Sequence, residues 1–451
     1  MGLSSRLAGL TTSGRARVAV SWAIYDFANT IFSFAVVSSA IGLWLVDDSR
    51  FGERDGNFVL SVAVVVSVGL NALVSPILGA LSDRGGRRMP YLLFFTLLCI
   101  VPTVFIGWST PIVGVLLFIL ANFAYQASLI YYDSTLKTVS KAESRGRLSG
   151  IGVAVGYFGT IFSGLFLLIF AVAVNDRFLV AGLLFALFAI PIFIFVRESG
   201  PIGRVTMADV TGSLTQLRTT IGHARQVPGL LRFMVGRFFY SDAVNTIIVV
   251  MTVVTTKAKG LTDQQALIVL LSLTVAAIVA SFGWGWLVDR LGPRRTLMIV
   301  LTSWAVGLIL GALSLSISGA IGLVLFLVAG AILGSGLGGV QVADRVLMVR
   351  LSPPERVGEF FGLYGLVGKG SQVIGQLLYG LTLLVFFDSL GVGAYQLAVL
   401  TLLVTMLIGA WILRPVRDNW AGSGEGAVST DAVAPPERLA PAAAPVWDRE
   451  A

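Results

Sequence analysis

One cysteine and one histidine in 451 residues leave little material for redox or metal chemistry. Cys99 alone can build neither a disulfide framework nor a thiolate metal site, and it reads as a small buried apolar residue. His223 stands outside any H-E-x-x-H spacing, and no P-loop and no cluster of metal ligands occurs. The sequence therefore calls for no cofactor and no metal, and it excludes a pump that carries its own nucleotide-binding domain. Charge is also scarce: Asp, Glu, Lys and Arg make up 12% of the chain, whereas hydrophobic residues make up 56%. A soluble globular protein uses roughly 25% charged residues, so this chain must bury most of itself in an apolar solvent.

What is present is a series of apolar runs, each long enough to cross a hydrocarbon core, which takes about 20 helical residues. Twelve are read, at residues 18–46, 58–82, 89–108, 112–134, 148–174, 178–196, 231–256, 266–288, 295–314, 320–343, 360–387 and 391–413. Their continuous apolarity suits helices rather than alternating barrel strands. The expected fold is an all-α integral membrane protein of twelve transmembrane helices in two six-helix halves. Its parts are an arm (1–17), a first bundle (18–196), a polar linker loop (197–230), a second bundle (231–414) and a disordered tail (415–451). Of the 32 Lys and Arg residues, 25 fall on one side of these spans and 5 on the other. By the positive-inside rule that places both termini in the cytoplasm. It also accounts for the net charge of +8 without a nucleic acid partner.

The halves repeat. DFANTI at 26–31 pairs with DAVNTI at 242–247, GALSDRGGRR at 79–88 with GWLVDRLGPRR at 285–295, and ESRGRLSGIGVAVG at 143–156 with ERVGEFFGLYGLVG at 355–368. The order is the same in both halves, as expected for two parallel six-helix units.

The loop at 79–88 resembles the signature loop of the major facilitator superfamily, and 285–295 resembles its weaker second copy. More narrowly, YDFANT, RFFYSDAVNTI and PPERVGEFFGLYGLVGKGS resemble the branch described as unknown major facilitators, to which the fungal vacuolar amino-acid effluxers belong. That resemblance spans residues 18 to 414. It implies that spans one, four, seven and ten line a central cavity, with the two repeated aspartates facing each other across the pseudo-twofold axis. It also implies that the signature loop latches the halves together, through Gly79, Asp83, Arg84, Arg87 and Arg88 and, in the second copy, Asp289 and Arg290.

Asp26 and Asn29 fall ~12 and ~16 Å into the first span, near the middle of a ~30 Å core. With Trp22, Tyr25 and Ser33 they form a stripe at helical spacing; Ser241, Asp242 and Asn245 form its counterpart in span seven. A charge at that depth costs at least ~2.5 kcal/mol and so faces a cavity or a partner. Three roles are open for the pair: structural pairing or capping of a helix break, holding a substrate ammonium, and loading a coupling proton. Lys369, Gln372, Gln376 and Tyr379 form one polar face of span eleven. Lys369 is expected to neutralise an aspartate or to bind a substrate carboxylate, and Arg237 to snorkel towards the interface. Tyr125 and Gln126 are candidate cavity residues, although for them and Asn122 interhelical hydrogen bonding is the commoner role. The run GSGLGG at 334–339 lies inside an apolar span and reads as close packing, not a nucleotide loop.

The expected activity is secondary transport by alternating access of a small organic solute, an amino acid above all, with a proton as coupling ion. A carrier exporting another small organic solute or drug is the alternative, and an intramembrane enzyme a remote one. The expected partners are that substrate and membrane lipids. The expected site is the plasma membrane, and the expected state a monomer.

Overall fold

The computed structural model describes residues 3–84, 87–139, 145–198, 207–353 and 356–417. Among these, twelve helices are long and apolar enough to cross a membrane: Ala16–Leu45, Gly52–Ser75, Met89–Ile106, Pro111–Leu136, Ile151–Ile169, Val174–Phe195, Leu230–Ala258, Asp263–Leu291, Pro293–Ser316, Gly319–Leu351, Glu359–Leu390 and Val392–Leu413. We number them spans one to twelve. The end of the bundle where span one begins and span twelve finishes carries most of the Lys and Arg, and we call it the basic face.

Each half is assembled by the same pairings: one with five and six, two with four, three with four and six, and in the second half seven with eleven and twelve, eight with ten, nine with ten and twelve. The halves meet along two seams, span two against span eleven and span five against span eight, which the pseudo-twofold axis exchanges. Spans one and seven are buried over 83% and 78% of their apolar stretch, while no other span exceeds 50%. They are the central helices, with protein on every side. The outer spans turn bare apolar side chains outward, among them Leu73, Phe282, Ile321 and Trp411, each more than 70% exposed. Such a surface needs lipid around it.

Three features depart from the sequence expectation. The linker is not a loop throughout: residues Met207–Gln226 form a helix. The first helix runs unbroken over Leu3–Ile31, so the expected arm continues span one. Spans two and ten belong to longer helices than hydropathy suggests, Gly52–Arg84 and Gly319–Leu351, because helices carry on into their charged ends. The expected tail beyond residue 417 lies outside the described residues.

Both central helices are irregular in their halves away from the basic face. Span one widens into a π-helical stretch at Phe32–Ser38 and span seven into another at Val254–Ala258. Each extra residue per turn frees a carbonyl group. The Thr252 hydroxyl donates to the Ser38 carbonyl, joining the two central helices there.

Candidate functional site

Asp26 lies in the α-helical part of span one and is half-buried. Its carboxylate is turned towards span five, where Gly152 and Gly156 present bare backbone: a methyl group added at either would lie 3.4 to 3.5 Å from Oδ2. No basic side chain is within ion-pair distance of it and it makes no side-chain hydrogen bond among the described residues. Asn29, one turn on, is 3% exposed, and its Oδ1 has no partner among the described residues. Ser33 continues this face into a cavity described below.

Tyr25 does not line a cavity as expected. It is fully buried inside its own half, its hydroxyl shares a 2.7 Å hydrogen bond with Thr96, and its ring stacks on Tyr132 at 5.0 Å. One residue is a 100° turn on a helix, and that angle sends Tyr25 into the core while Asp26 faces span five. Trp22 shares the core side, donating to Thr135 at 3.1 Å and stacking on Tyr132 at 4.6 Å.

Asp242 is completely buried. Span eleven is broken beside it: helix Val357–Gly370, one 3-10 turn at Ser371–Val373, then helix Ile374–Leu390. The first N–H groups of a helix lack intrahelical partners and carry its positive dipole end. Asp242 Oδ1 accepts one of them, the Gly375 N–H, at 2.8 Å, and Asn245 donates to the Ser371 hydroxyl at 3.4 Å. Asp242 thus caps a helix break across an interface. Gly375 is required for this approach, since a Cβ there would lie 2.8 Å from Asp242 Oδ2 and 2.7 Å from Thr246 Oγ1.

The two aspartates therefore do not face each other across the axis. Each carboxylate points into its own half, at span five or span eleven, because those helices expose backbone there. Nor does Lys369 neutralise either of them in an ion pair among the described residues. Arg237 does not snorkel: its Nε is 3.0 Å from Asp344 Oδ2, and its guanidinium lies 3.6 Å over the Tyr364 ring. The opposite charge acting on half-buried Lys369 is Asp133, which in turn is the like-charge neighbour of Asp26. Neither Asp133 nor Asp344 stood out in the sequence, because both fall where an apolar run ends.

Gln372, Tyr125 and Gln126 are half-buried, and Tyr125 packs on Phe32 at 4.9 Å. Gln376 is not a cavity residue; it is fully buried with both amide atoms lacking partners among the described residues. It lies one turn from Gly380, which packs on Ser61 of span two, so helical spacing turns it into that seam. Asn122 follows the packing role, donating to Ser67 at 2.7 Å. In GSGLGG, Gly336 packs on the Trp304 indole and Gly339 on Trp284, as close packing requires. Of the latch residues, the side chains of Asp83 and Arg84, and the surroundings of Gly79, lie outside what is described. Arg87, Asp289 and Arg290 are exposed, Arg290 lying 3.9 Å over Trp286, and Arg88 donates to Thr138 at 3.4 Å.

Side-chain bonds between the halves concentrate on the face opposite the basic one. Glu53 meets Lys257 at 3.7 Å and accepts from Tyr395 at 3.1 Å; Arg54 meets Asp388 at 3.1 Å; Asn57 links Tyr395 and Tyr379; and Arg177 lies 3.9 Å from Asp263. The bundle is shut on that face. A 280 Å³ cavity remains there, lined by Trp44, Asp47, Arg50, Lys257 and Asp263 among others, in which two Ser49 hydrogen bonds hold the Asp47 carboxyl below its ordinary range. A second cavity of 190 Å³ lies deeper between the halves, with Ser33, Tyr157, Thr160, Met251, Leu273 and Trp304 in its wall. It is largely apolar with a few hydroxyl groups.

Two six-helix units joined along two symmetry-related seams, with polar residues on the central helices, define a membrane carrier of the major facilitator fold. Solved structures share it: a nucleoside transporter, NupG, superposes with a TM-score of 0.68 at 14% identity over 88% of this chain and 98% of that one, and a D-xylose-proton symporter with 0.64 at 14% identity over 90% and 97%. The model of the vacuole effluxer Atg22-like family matches residues 52–416, and the chain belongs to that family. Its relatives include an uncharacterized MFS-type transporter, YxiO, of Bacillus subtilis, 24% identical over 88% of this chain and 94% of that protein. Another is autophagy-related protein 22 of Kluyveromyces lactis, 26% identical over 75% of each. The protein is a major-facilitator-type transporter of a small solute.

Proposed function

We propose that the solute is a small molecule with an ammonium group, an amino acid above all, and that it moves by alternating access coupled to protons. Asp26 carries this reading. It is a half-buried carboxylate on a central helix with no basic partner among the described residues, and it lies against the glycine backbone of span five. A carboxylate in an apolar setting without a cation either binds one or holds a proton, and alternation between the two would couple them. Asp242, already engaged in capping span eleven, has a structural role in this reading. The basic face is cytoplasmic, the membrane is the plasma membrane, and the transporter works as a monomer.

A second reading, export of a more apolar organic solute or drug, draws on the 190 Å³ cavity, whose wall holds Phe34, Ile247, Met251, Leu273 and Leu333 and no charged residue. Counterflow in proteoliposomes separates the two. A panel of labelled amino acids should show exchange of at least one that Asp26→Asn abolishes; exchange of apolar drugs with none of any amino acid would favour the second reading.

A further inference from the structure

The repeated motifs DFANTI and DAVNTI place a threonine one helical turn after each aspartate, Thr30 after Asp26 and Thr246 after Asp242. In the first half that hydroxyl is satisfied, lying 2.7 Å from the Gly156 carbonyl of span five and 3.0 Å from the Phe27 carbonyl of its own helix. In the second half it is not. Thr246 is fully buried and its Oγ1 has no partner among the described residues. Buried threonines elsewhere in the bundle, Thr96, Thr255 and Thr296 among them, donate to a carbonyl one turn back in their own helix. Thr246 forgoes that bond. The Asp242 carboxylate is in the same condition: Oδ1 accepts the Gly375 N–H, but Oδ2 is buried without a partner, and no basic side chain is within ion-pair distance among the described residues.

The two oxygens meet at one place. A Cβ on Gly375 would lie 2.7 Å from Thr246 Oγ1 and 2.8 Å from Asp242 Oδ2, so both converge on the same bare point of span eleven, two residues past its 3-10 turn at Ser371–Val373. A fully buried carboxylate with a free oxygen and no basic partner holds either a proton or a cation. A proton on Oδ2 would leave two hydroxyl donors, that acid and Thr246, without an acceptor among the described residues. A cation takes both oxygens as ligands, and one buried negative charge is balanced by one positive charge. Hard cations prefer such oxygen ligands, and discontinuous helices in transporters supply unwound carbonyl groups to complete a sodium shell. We propose that Asp242 and Thr246 hold a dehydrated sodium ion against the break of span eleven, as a structural ion of the second half. The first half lacks the site because Thr30 is already bound to span five. This goes beyond the transport reading and does not rest on it: Asp26 keeps the coupling proton, and Asp242 keeps a structural role.

The test is the thermal midpoint of the purified full chain in detergent as sodium chloride replaces choline chloride at constant ionic strength. A ligand that binds only the folded state raises the midpoint with its concentration. The unmodified protein should gain several degrees in sodium, saturably, and clearly less in potassium. Asp242→Asn and Thr246→Val should each flatten the sodium response, Thr246→Ser should keep it, and Asp26→Asn should leave it whole. Because either of the first two variants could lower stability for other reasons, the readout is the difference between sodium and choline within each variant, not its absolute midpoint. A midpoint of the unmodified protein that ignores sodium overturns the site, and so does a sodium response that survives both Asp242→Asn and Thr246→Val. A midpoint that ignores sodium but falls as pH rises, and no longer does so in Asp242→Asn, overturns it in favour of a bound proton. None of these readings involves transport, so failure of the sodium site leaves the transport reading to its own test.

Discussion

Spans one and seven carry nearly the same motif, yet their aspartates live differently. Asp242 is fully buried and spends one oxygen on the Gly375 N–H at the break of span eleven, while Asp26 is half-buried beside unbroken glycine backbone in span five. The neighbouring helix makes the difference. Where span eleven breaks, it presents an orphan donor that a carboxylate satisfies; where span five stays regular, its amides are already used and Asp26 is left without a partner among the described residues. Sequence repetition preserved the residue, and the partner helix decided its role.

The strongest way to test this contrast between halves is to attack the ion pair that only the second half has. Arg237→Met leaves Asp344 buried without its cation, and should destabilise the protein by about 3–5 kcal/mol, read as a lowered thermal midpoint in detergent. Combining it with Asp344→Leu should recover most of the loss. Next, Gly375→Ala drives a methyl group into Asp242 and Thr246 and should cost about 1–3 kcal/mol, while Gly156→Ala, whose nearest contacts would be 3.3 to 3.5 Å, should cost clearly less. Equal effects at the two glycines would erase the contrast. Asp242→Ala removes an N-terminal cap and should cost about 0.5–2 kcal/mol, whereas Asp26→Ala should leave the thermal midpoint unchanged or raised. Smallest of all, Arg54→Ala breaks a bridge to Asp388 in which the two side chains are 45% and 70% exposed, and should shift stability by less than about 1 kcal/mol.

Much of the fold was legible because bilayer physics is blunt: twelve long apolar runs suffice to count the spans. The site was legible only in part. Asp26, Asn29 and Asp242 announce themselves as polar intrusions in apolar helices, but their direction depends on rotation, and adjacent Tyr25 and Asp26 end on different faces. Asp344 was hidden because the apolar run of span ten stops just before it, and Asp133 because it is the second-last residue of the run of span four, where a charge reads as the span's end; both helices run on past them. An alignment of the repeats that included the span ends could have found them, through the shared Asp at 133 and 344. The break of span eleven carries no proline; its signal is the glycine-rich polar run GKGSQ at 368–372, and the break is held by Asp242 and Asn245.

The most direct test is amino-acid counterflow in proteoliposomes for the unmodified protein, Asp26→Asn and Asp242→Asn, each checked for its thermal midpoint. The account expects Asp26→Asn to abolish exchange with its fold intact, and Asp242→Asn, whose amide oxygen can still accept the Gly375 N–H, to retain it. Exchange that survives Asp26→Asn, or that is lost in a stably folded Asp242→Asn, would contradict it.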